Sequence, residues 1–239
     1  MVPRKGDTVT IPEIGSAVAR LLFEGGAIHV SRQQPFILAA GWASPVYVDV
    51  RVLLGEPKLR RAVTELALRY VQTALSDPID AVAGAETAGI PFAAWLADRM
   101  DIKLRYVRKR PLGVGRNAQV EGGAIEGLRV LLIDDLTTDG GSKLNFARGL
   151  RAAGAHVEHA LTIFYHGVFP GATERLAQAG LTLHPLATWT DVLHSDAARA
   201  LKAEERNEIE RFISDPVAWS TRHGGRAKLS PRTWHSKRP

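Results

Sequence analysis

The chemistry of this chain concentrates in one stretch, Val130-Leu131-Leu132-Ile133-Asp134-Asp135-Leu136-Thr137-Thr138-Asp139-Gly140-Gly141-Ser142. A short apolar run ends in two adjacent acids. A loop of hydroxyls and glycines follows, up to Ser142, where a helix is expected to begin. Such a loop aims backbone N–H groups and the positive end of a helix dipole at one point, which suits a phosphate monoester. Thr137, Thr138 and Ser142 add hydroxyl donors, and Gly140 and Gly141 let the backbone come close.

A phosphate alone gives two carboxylates nothing to do. A neighbouring ribose does, because Asp134 and Asp135 can accept hydrogen bonds from its hydroxyls and could also hold Mg²⁺ through water. The plainer reading is a strand–turn–helix in which Ser142 caps the helix and the acids are solvated. A Walker A loop is excluded, since Lys143 follows Ser142 and the spaced glycines and Gly-Lys pair are missing; the Gly-x-Gly-x-x-Gly fingerprint is missing here too.

Positioning this segment requires a sheet. Apolar periodicity predicts helices over 13–24 and 57–76, the second with Leu59, Val63, Leu66, Tyr70 and Val71 on one stripe. Runs 35–38 and 46–49, joined by Gly41-Trp42-Ala43-Ser44-Pro45, read as a hairpin. Then strands at 81–85, 104–108, 130–133, 159–164 and 181–186 alternate with helices at 91–100, 142–153, 172–179 and 199–213. This alternation predicts an α/β fold with a doubly wound parallel sheet flanked by helices. Residues 1–50 are expected to form an accessory piece over the sheet's carboxyl edge, 51–215 the core, and 216–239 a basic, disordered tail.

Composition narrows the classes. The chain has 239 residues and no cysteine, so disulfides, thiolate metal sites and cysteine nucleophiles are excluded. No apolar run reaches the length of a membrane span, and Met1-Val2-Pro3-Arg4-Lys5-Gly6-Asp7 lacks the apolar stretch of a secretory signal, so the cytoplasm is the expected compartment. The formal charge of +6 comes from the last segment: Arg222, Arg226, Lys228, Arg232, Lys237 and Arg238 follow the last acid, Asp215, while residues 1–215 balance 25 against 25. A solvated tail is expected there rather than a nucleic-acid contact.

The Val130–Ser142 segment resembles the phosphoribosyl pyrophosphate motif of the type I phosphoribosyltransferases, and further segments resemble the orotate phosphoribosyltransferases among them. Phe36-Ile37-Leu38-Ala39-Ala40-Gly41-Trp42-Ala43-Ser44-Pro45-Val46-Tyr47 is similar to that family's Phe-x-Leu-x-Ser-Gly-x-x-Ser-Pro-x-Tyr segment. Gly84-Ala85-Glu86-Thr87-Ala88-Gly89-Ile90-Pro91-Phe92-Ala93 resembles its pyrophosphate loop. Tyr106-Val107-Arg108-Lys109-Arg110-Pro111-Leu112-Gly113-Val114-Gly115, with Gln119-Val120-Glu121-Gly122, resembles its mobile loop. The likeness runs from about residue 12 to 215.

The resemblance implies a type I phosphoribosyltransferase-like fold with a small N-terminal hood. It also implies Mg²⁺-dependent transfer of 5-phosphoribosyl from phosphoribosyl pyrophosphate to orotate, through an oxocarbenium-like transition state. On it, Asp134 and Asp135 hold the ribose, while Leu136, Thr137, Thr138, Asp139, Gly140, Gly141 and Ser142 hold the 5′-phosphate, Thr138 also touching orotate. Glu86, Thr87, Ala88 and Gly89 supply backbone to pyrophosphate. Arg108 and Lys109 match a cationic pair that reaches pyrophosphate, partly across a homodimer interface, and with Asp135 form the expected catalytic set. Tyr47 is the expected wall for the flat base, and His166 stands nearest to where the family keeps an arginine for the orotate carboxylate.

Departures from the pattern raise an alternative. Leu112 replaces the family's catalytic lysine and Val114 its histidine, leaving Arg110 and Arg116 as the nearby cations. Losing one electrostatic contact of that kind costs roughly two to three orders of magnitude in rate. Asp139 puts an acid inside the phosphate cradle, and Trp42-Ala43 replaces a basic pair. The alternative is therefore an impaired or redirected relative that binds phosphoribosyl pyrophosphate or nucleotide in a regulatory role.

Overall fold

The computed structural model describes residues 10–31, 33–112 and 118–229. Val114 and Arg116, two of the residues singled out in the mobile-loop segment, lie outside them. The chain opens with helix α1 (Ile11–Glu24) and four short strands, β1 (Ile28–Val30), β2 (Phe36–Ile37), β3 (Ala43–Ser44) and β4 (Val46–Val48). Helices α2 (Val52–Gly55) and α3 (Pro57–Ala74) lead to β5 (Ala81–Ala85), α4 (Gly89–Met100), β6 (Lys103–Val107) and β7 (Val120–Glu121). Next come β8 (Arg129–Thr137), α5 (Gly141–Ala152), β9 (His156–Tyr165), α6 (Ala172–Gln178) and β10 (Thr182–Thr188). Helix α7 (Trp189–His194), a 3₁₀ turn (Asp196–Ala200), α8 (Ala203–Ser214) and α9 (Pro216–Arg222) complete it.

The main sheet has the order β10-β9-β8-β5-β6-β7, parallel except for β7, which returns antiparallel on β6. The expected α/β class holds. Alternation along the central strands buries both faces: Val82, Leu131, Ile133 and Leu161 pack on one side, Ala81, Ala83, Val130 and Leu132 on the other. From β5 the chain winds one way to β6, and from β8 it winds the other way to β9 and β10. The carboxyl ends of β5 and β8 therefore flank the topological switch point, where adjoining crossovers diverge and leave a crevice.

Several local expectations are corrected. The strand at 130–133 continues to Thr137, so Asp134 and Asp135 stand within β8 rather than in a loop after it. Aspartate disfavours strands, but the Asp134–Thr162 and Thr137–Tyr165 pairings with β9 carry the ladder through. Phe36–Ile37 pairs with Ala43–Ser44 around Gly41, whose φ of 89° suits the turn, while Val46–Val48 pairs instead with the unforeseen β1. Helix α1 packs on α3, β10 and α7, so part of the first fifty residues belongs to the main core. The helix expected over 199–213 is interrupted, a 3₁₀ turn preceding α8.

The disordered tail is the largest correction. Residues 216–229 are described, and 216–222 form α9; only 230–239 lie outside the described residues. Pro216 opens this helix, Asp215 accepts from the Ala218 N–H at 2.9 Å, and Trp219 is buried. Composition misled because one aromatic and a small buried hydroxyl outweigh the charge around them. Ser220 Oγ accepts from the Ala43 N–H at 3.0 Å, and the Arg226 N–H donates to the Gly41 carbonyl at 3.0 Å, tying the C-terminal segment to the hood. Trp42 stacks on Phe169 at 4.4 Å, Phe169 meets Phe212 at 6.0 Å, and Phe212 meets Trp219 at 5.6 Å. Trp219→Ala should cost about 3–5 kcal/mol in chemical denaturation, the usual range for emptying a buried tryptophan site. A loss under about 1 kcal/mol would show that α9 is dispensable.

Candidate active site

A cavity of about 490 Å³ opens at the switch point. Its floor is the end of β8 and the start of α5, one wall is the Glu86–Ala88 turn, and its roof is the hood segment with Tyr47 in β4 and Asp49 and Arg51 just after it. Of the residues expected here, Tyr47, Glu86, Thr87, Ala88, Lys109, Asp134, Asp135, Leu136, Thr138, Asp139, Gly140, Ser142 and His166 line it. Gly89, Arg108, Thr137 and Gly141 do not; they stand behind the lining or beside it.

The two acids differ in their surroundings. Asp134 Oδ1 accepts from the Asp135 N–H at 2.9 Å, and its Oδ2 accepts from Lys143 Nζ at 2.6 Å. Lys143 is 1% exposed and also donates to the Leu136 carbonyl. Asp135 Oδ1 accepts from the Leu136 N–H at 2.8 Å, and among the described residues nothing donates to its other oxygen. Burial, reinforced by the Asp134 charge, raises the Asp135 carboxyl well above the usual carboxylate range.

Helix α5 begins at Gly141, after Gly140 at a φ of 75°; a side chain at Gly140 would also press on Leu176 at 3.0 Å. Ser142 is exposed to the cavity. The Asp139 carboxylate borders the cavity and accepts from the Gly141 N–H at 3.1 Å. On the opposite wall the Glu86–Thr87 peptide is cis. Gly89 is required by close packing, because a Cβ there would sit 2.4 Å from the Ile133 carbonyl oxygen. The wall and the floor are thereby pressed together, backbone on backbone.

Arg108 and Lys109 separate in role. Arg108 is held outside the cavity, its guanidinium 3.7 Å from Glu86 and 3.4 Å from Glu121, and over the Tyr106 ring. Lys109 lines the cavity; its N–H donates to Glu86 Oε2 at 2.9 Å, and its carbonyl accepts from Asn145 Nδ2 at 2.8 Å. The stem of the loop that continues to Leu112 is thus fastened to both β5 and α5, and Leu112 itself is exposed.

Sequence reasoning missed Asp49, Arg51, Lys143 and Asn145, all of which line the cavity. Arg51 ion-pairs with Asp49 at 2.7 Å, holding its carboxyl below the usual range, and donates to the Tyr47 hydroxyl at 2.9 Å. The spacing of Tyr47 and Asp49 at the end of β4 was the available signal, since extended backbone puts both on one face; Arg51, with helical backbone at the start of α2, joins them by reaching back to Asp49. Lys143 carried no such signal, because a lysine at a helix start reads as solvated.

His166 is completely buried and its pKa falls to about 4, because burial penalises the charged ring. Its Nδ1 accepts from Trp189 Nε1 at 3.2 Å, and indole can only donate. The neutral ring therefore carries its proton on Nε2, which has no partner among the described residues. The stability consequence has a definite sign. Above the unfolded value of 6.5 both states are neutral at this ring; as pH falls from 6.5 towards 4 only the unfolded chain takes up the proton, so stability is lost. The loss should approach about 3 kcal/mol at about 1.4 kcal/mol per pH unit. Urea denaturation across that interval should show it, and His166→Gln should flatten the slope; an unchanged slope in the variant would refute the assignment.

Comparison with known proteins agrees with this geometry. Residues 51–184 match the phosphoribosyl transferase domain model. The chain is 47% identical over 209 residues to an orotate phosphoribosyltransferase of Cereibacter sphaeroides, covering 87% of this chain and 90% of that one. It is 46% identical over 217 residues to one from Rhizobium rhizogenes, covering 90% and 94%. Among solved structures, orotate phosphoribosyltransferase from Aeropyrum pernix superposes with a TM-score of 0.63 at 35% identity, covering 74% of this chain and 96% of that one. With its doubly wound sheet, its acid pair beside a glycine-rich helix start, and these relatives along most of its length, the chain belongs to the orotate phosphoribosyltransferases of the type I phosphoribosyltransferase family.

Proposed function

We propose that this phosphoribosyltransferase joins orotate to the ribose of phosphoribosyl pyrophosphate, releasing pyrophosphate and giving orotidine 5′-monophosphate. The observation that carries the reading is the convergence, in one cavity, of the Asp134-Asp135 pair with the glycine-rich start of α5. Asp135, with an oxygen open to the cavity, accepts the ribose hydroxyls, and Asp134 stands beside it. Thr138, Ser142 and the amides at the helix start take the 5′-phosphate. Thr87 and Ala88 offer backbone to the pyrophosphate, and Lys109 offers charge. Tyr47 and Arg51 close over the base from above, and the free N–H of His166 is the donor for one of its oxygens.

Among the described residues no cluster of three acids or histidines could hold a metal by itself. Asp134 and Asp135 would hold Mg²⁺ through water, which this hard ion gives up reluctantly. When bound, the ion would neutralise charge on the leaving pyrophosphate. The residues of the chain do the rest by alignment: ribose and base held in line, the departing group met by fixed donors. A homodimer that lends each cavity loop residues from its partner, and a cytoplasmic site of action, complete the proposal. No helix among the described residues is long and apolar enough to cross a membrane.

A coupled assay with orotate, phosphoribosyl pyrophosphate and Mg²⁺ tests the reading, with orotate-dependent turnover expected. Binding without turnover would favour the regulatory alternative. Asp135→Asn should weaken phosphoribosyl pyrophosphate at least tenfold in calorimetry, the order expected for a charge-assisted hydrogen bond. Unchanged affinity would remove Asp135 from the ribose site.

A further inference from the structure

Both oxygens of Asp134 are taken up by the protein itself. One receives the Asp135 N–H at 2.9 Å and the other the Lys143 ammonium at 2.6 Å. The same ammonium binds the carbonyl of Leu136, two residues further along β8. It reaches them from the first turn of α5, so one buried group joins the strand end to the helix start across the whole phosphate turn. At 1% exposure Lys143 has little surface to offer a ligand, although it borders the cavity. Asp135 presents the opposite case, one oxygen held by the Leu136 N–H and the other open.

We propose that Lys143 is a positioning residue: it makes Asp134 a structural anion and locks the β8–α5 turn, so that Asp135 is the carboxylate that meets the sugar. The inference rests on the sugar-phosphate reading of the cavity and assigns unequal work to two acids that look equivalent in sequence. Their adjacency follows from the same device. Two neighbouring buried carboxylates repel, and an ammonium that spans one of them and a backbone carbonyl offsets part of that cost while fixing the turn's shape.

The test is a double-mutant cycle on the full chain, read by calorimetric binding of ribose 5-phosphate and by steady-state kinetics. The unmodified chain should bind ribose 5-phosphate; failure there would strike the reading of the cavity rather than the role of Lys143. Lys143→Met should weaken that binding and raise KM for phosphoribosyl pyrophosphate by roughly tenfold, leaving KM for orotate within about twofold. A merely destabilised protein would lose active sites without that split. In an Asp134→Asn background, adding Lys143→Met should change affinity by less than about threefold, because the anion it serves is already gone. That double variant also guards against Lys143→Met failing to fold, since removing both charges leaves no unpaired ion. A full tenfold loss in the Asp134→Asn background would mean that Lys143 touches the ligand directly and would overturn the inference. So would Lys143→Met with unaltered affinity.

Discussion

Two carboxylates on consecutive residues at the end of a buried strand repel each other, and burial raises the cost of charging either one. The contact between Lys143 and Asp134 makes the arrangement possible: a 2.6 Å ion pair beneath the cavity, completed by the Leu136 carbonyl. Buried ion pairs seldom add much net stability, but losing one partner leaves an uncompensated charge that costs about 3–5 kcal/mol. The pair therefore acts as a constraint on shape. It joins the last residues of β8 to the first turn of α5 and so sets the turn in which Thr138, Gly140 and Ser142 face the cavity.

The rest of the molecule brings other elements up to that turn. The sheet order places β5 beside β8, and Gly89 lets the Glu86–Ala88 wall approach β8 without a side chain between them. The roof depends on contacts far apart in sequence. Tyr47 is carried by a strand paired to β1, with Asp49 and Arg51 just beyond its end, and the hood beneath them is anchored by α9 through Ser220 and the aromatic series from Trp42 to Trp219. A ligand filling the cavity would contact all of these layers together, which suits a reaction in which alignment contributes much of the rate.

The departures from the family pattern become intelligible in this frame. Asp139 borders the cavity, and its carboxylate accepts the Gly141 N–H, one of the amides at the start of α5. His166 cannot supply the positive charge of an arginine, since burial keeps it neutral; it offers a directed N–H whose tautomer Trp189 decides. Arg108 is committed to Glu86 and Glu121 in the chain by itself, whereas Lys109 borders the cavity. Nothing in the structure explains why leucine stands at position 112.

Much of this was legible in the residues alone. Apolar period and strand–helix alternation determined the α/β class, and the Asp-Asp run before a glycine-rich helix start pointed to the segment that forms the floor of the switch-point cavity, because both signals are local. Boundaries failed where neighbours overrode propensity: β8 runs on through two aspartates because β9 pairs with it at Asp134, Leu136 and Thr137, and α9 forms in a basic segment because Trp219 has an aromatic core to enter. Only the tertiary structure could distinguish Asp134 from Asp135, bring Asp139 onto the Gly141 amide and set the proton on His166. Each of those outcomes depends on the distance to a group that covalent order does not specify: a lysine on the facing helix, an amide across a turn, an indole from another element. Sequence patterns carry periodicity and residue type, while charge state and division of labour come from burial and partners, which exist only once the chain has closed on itself.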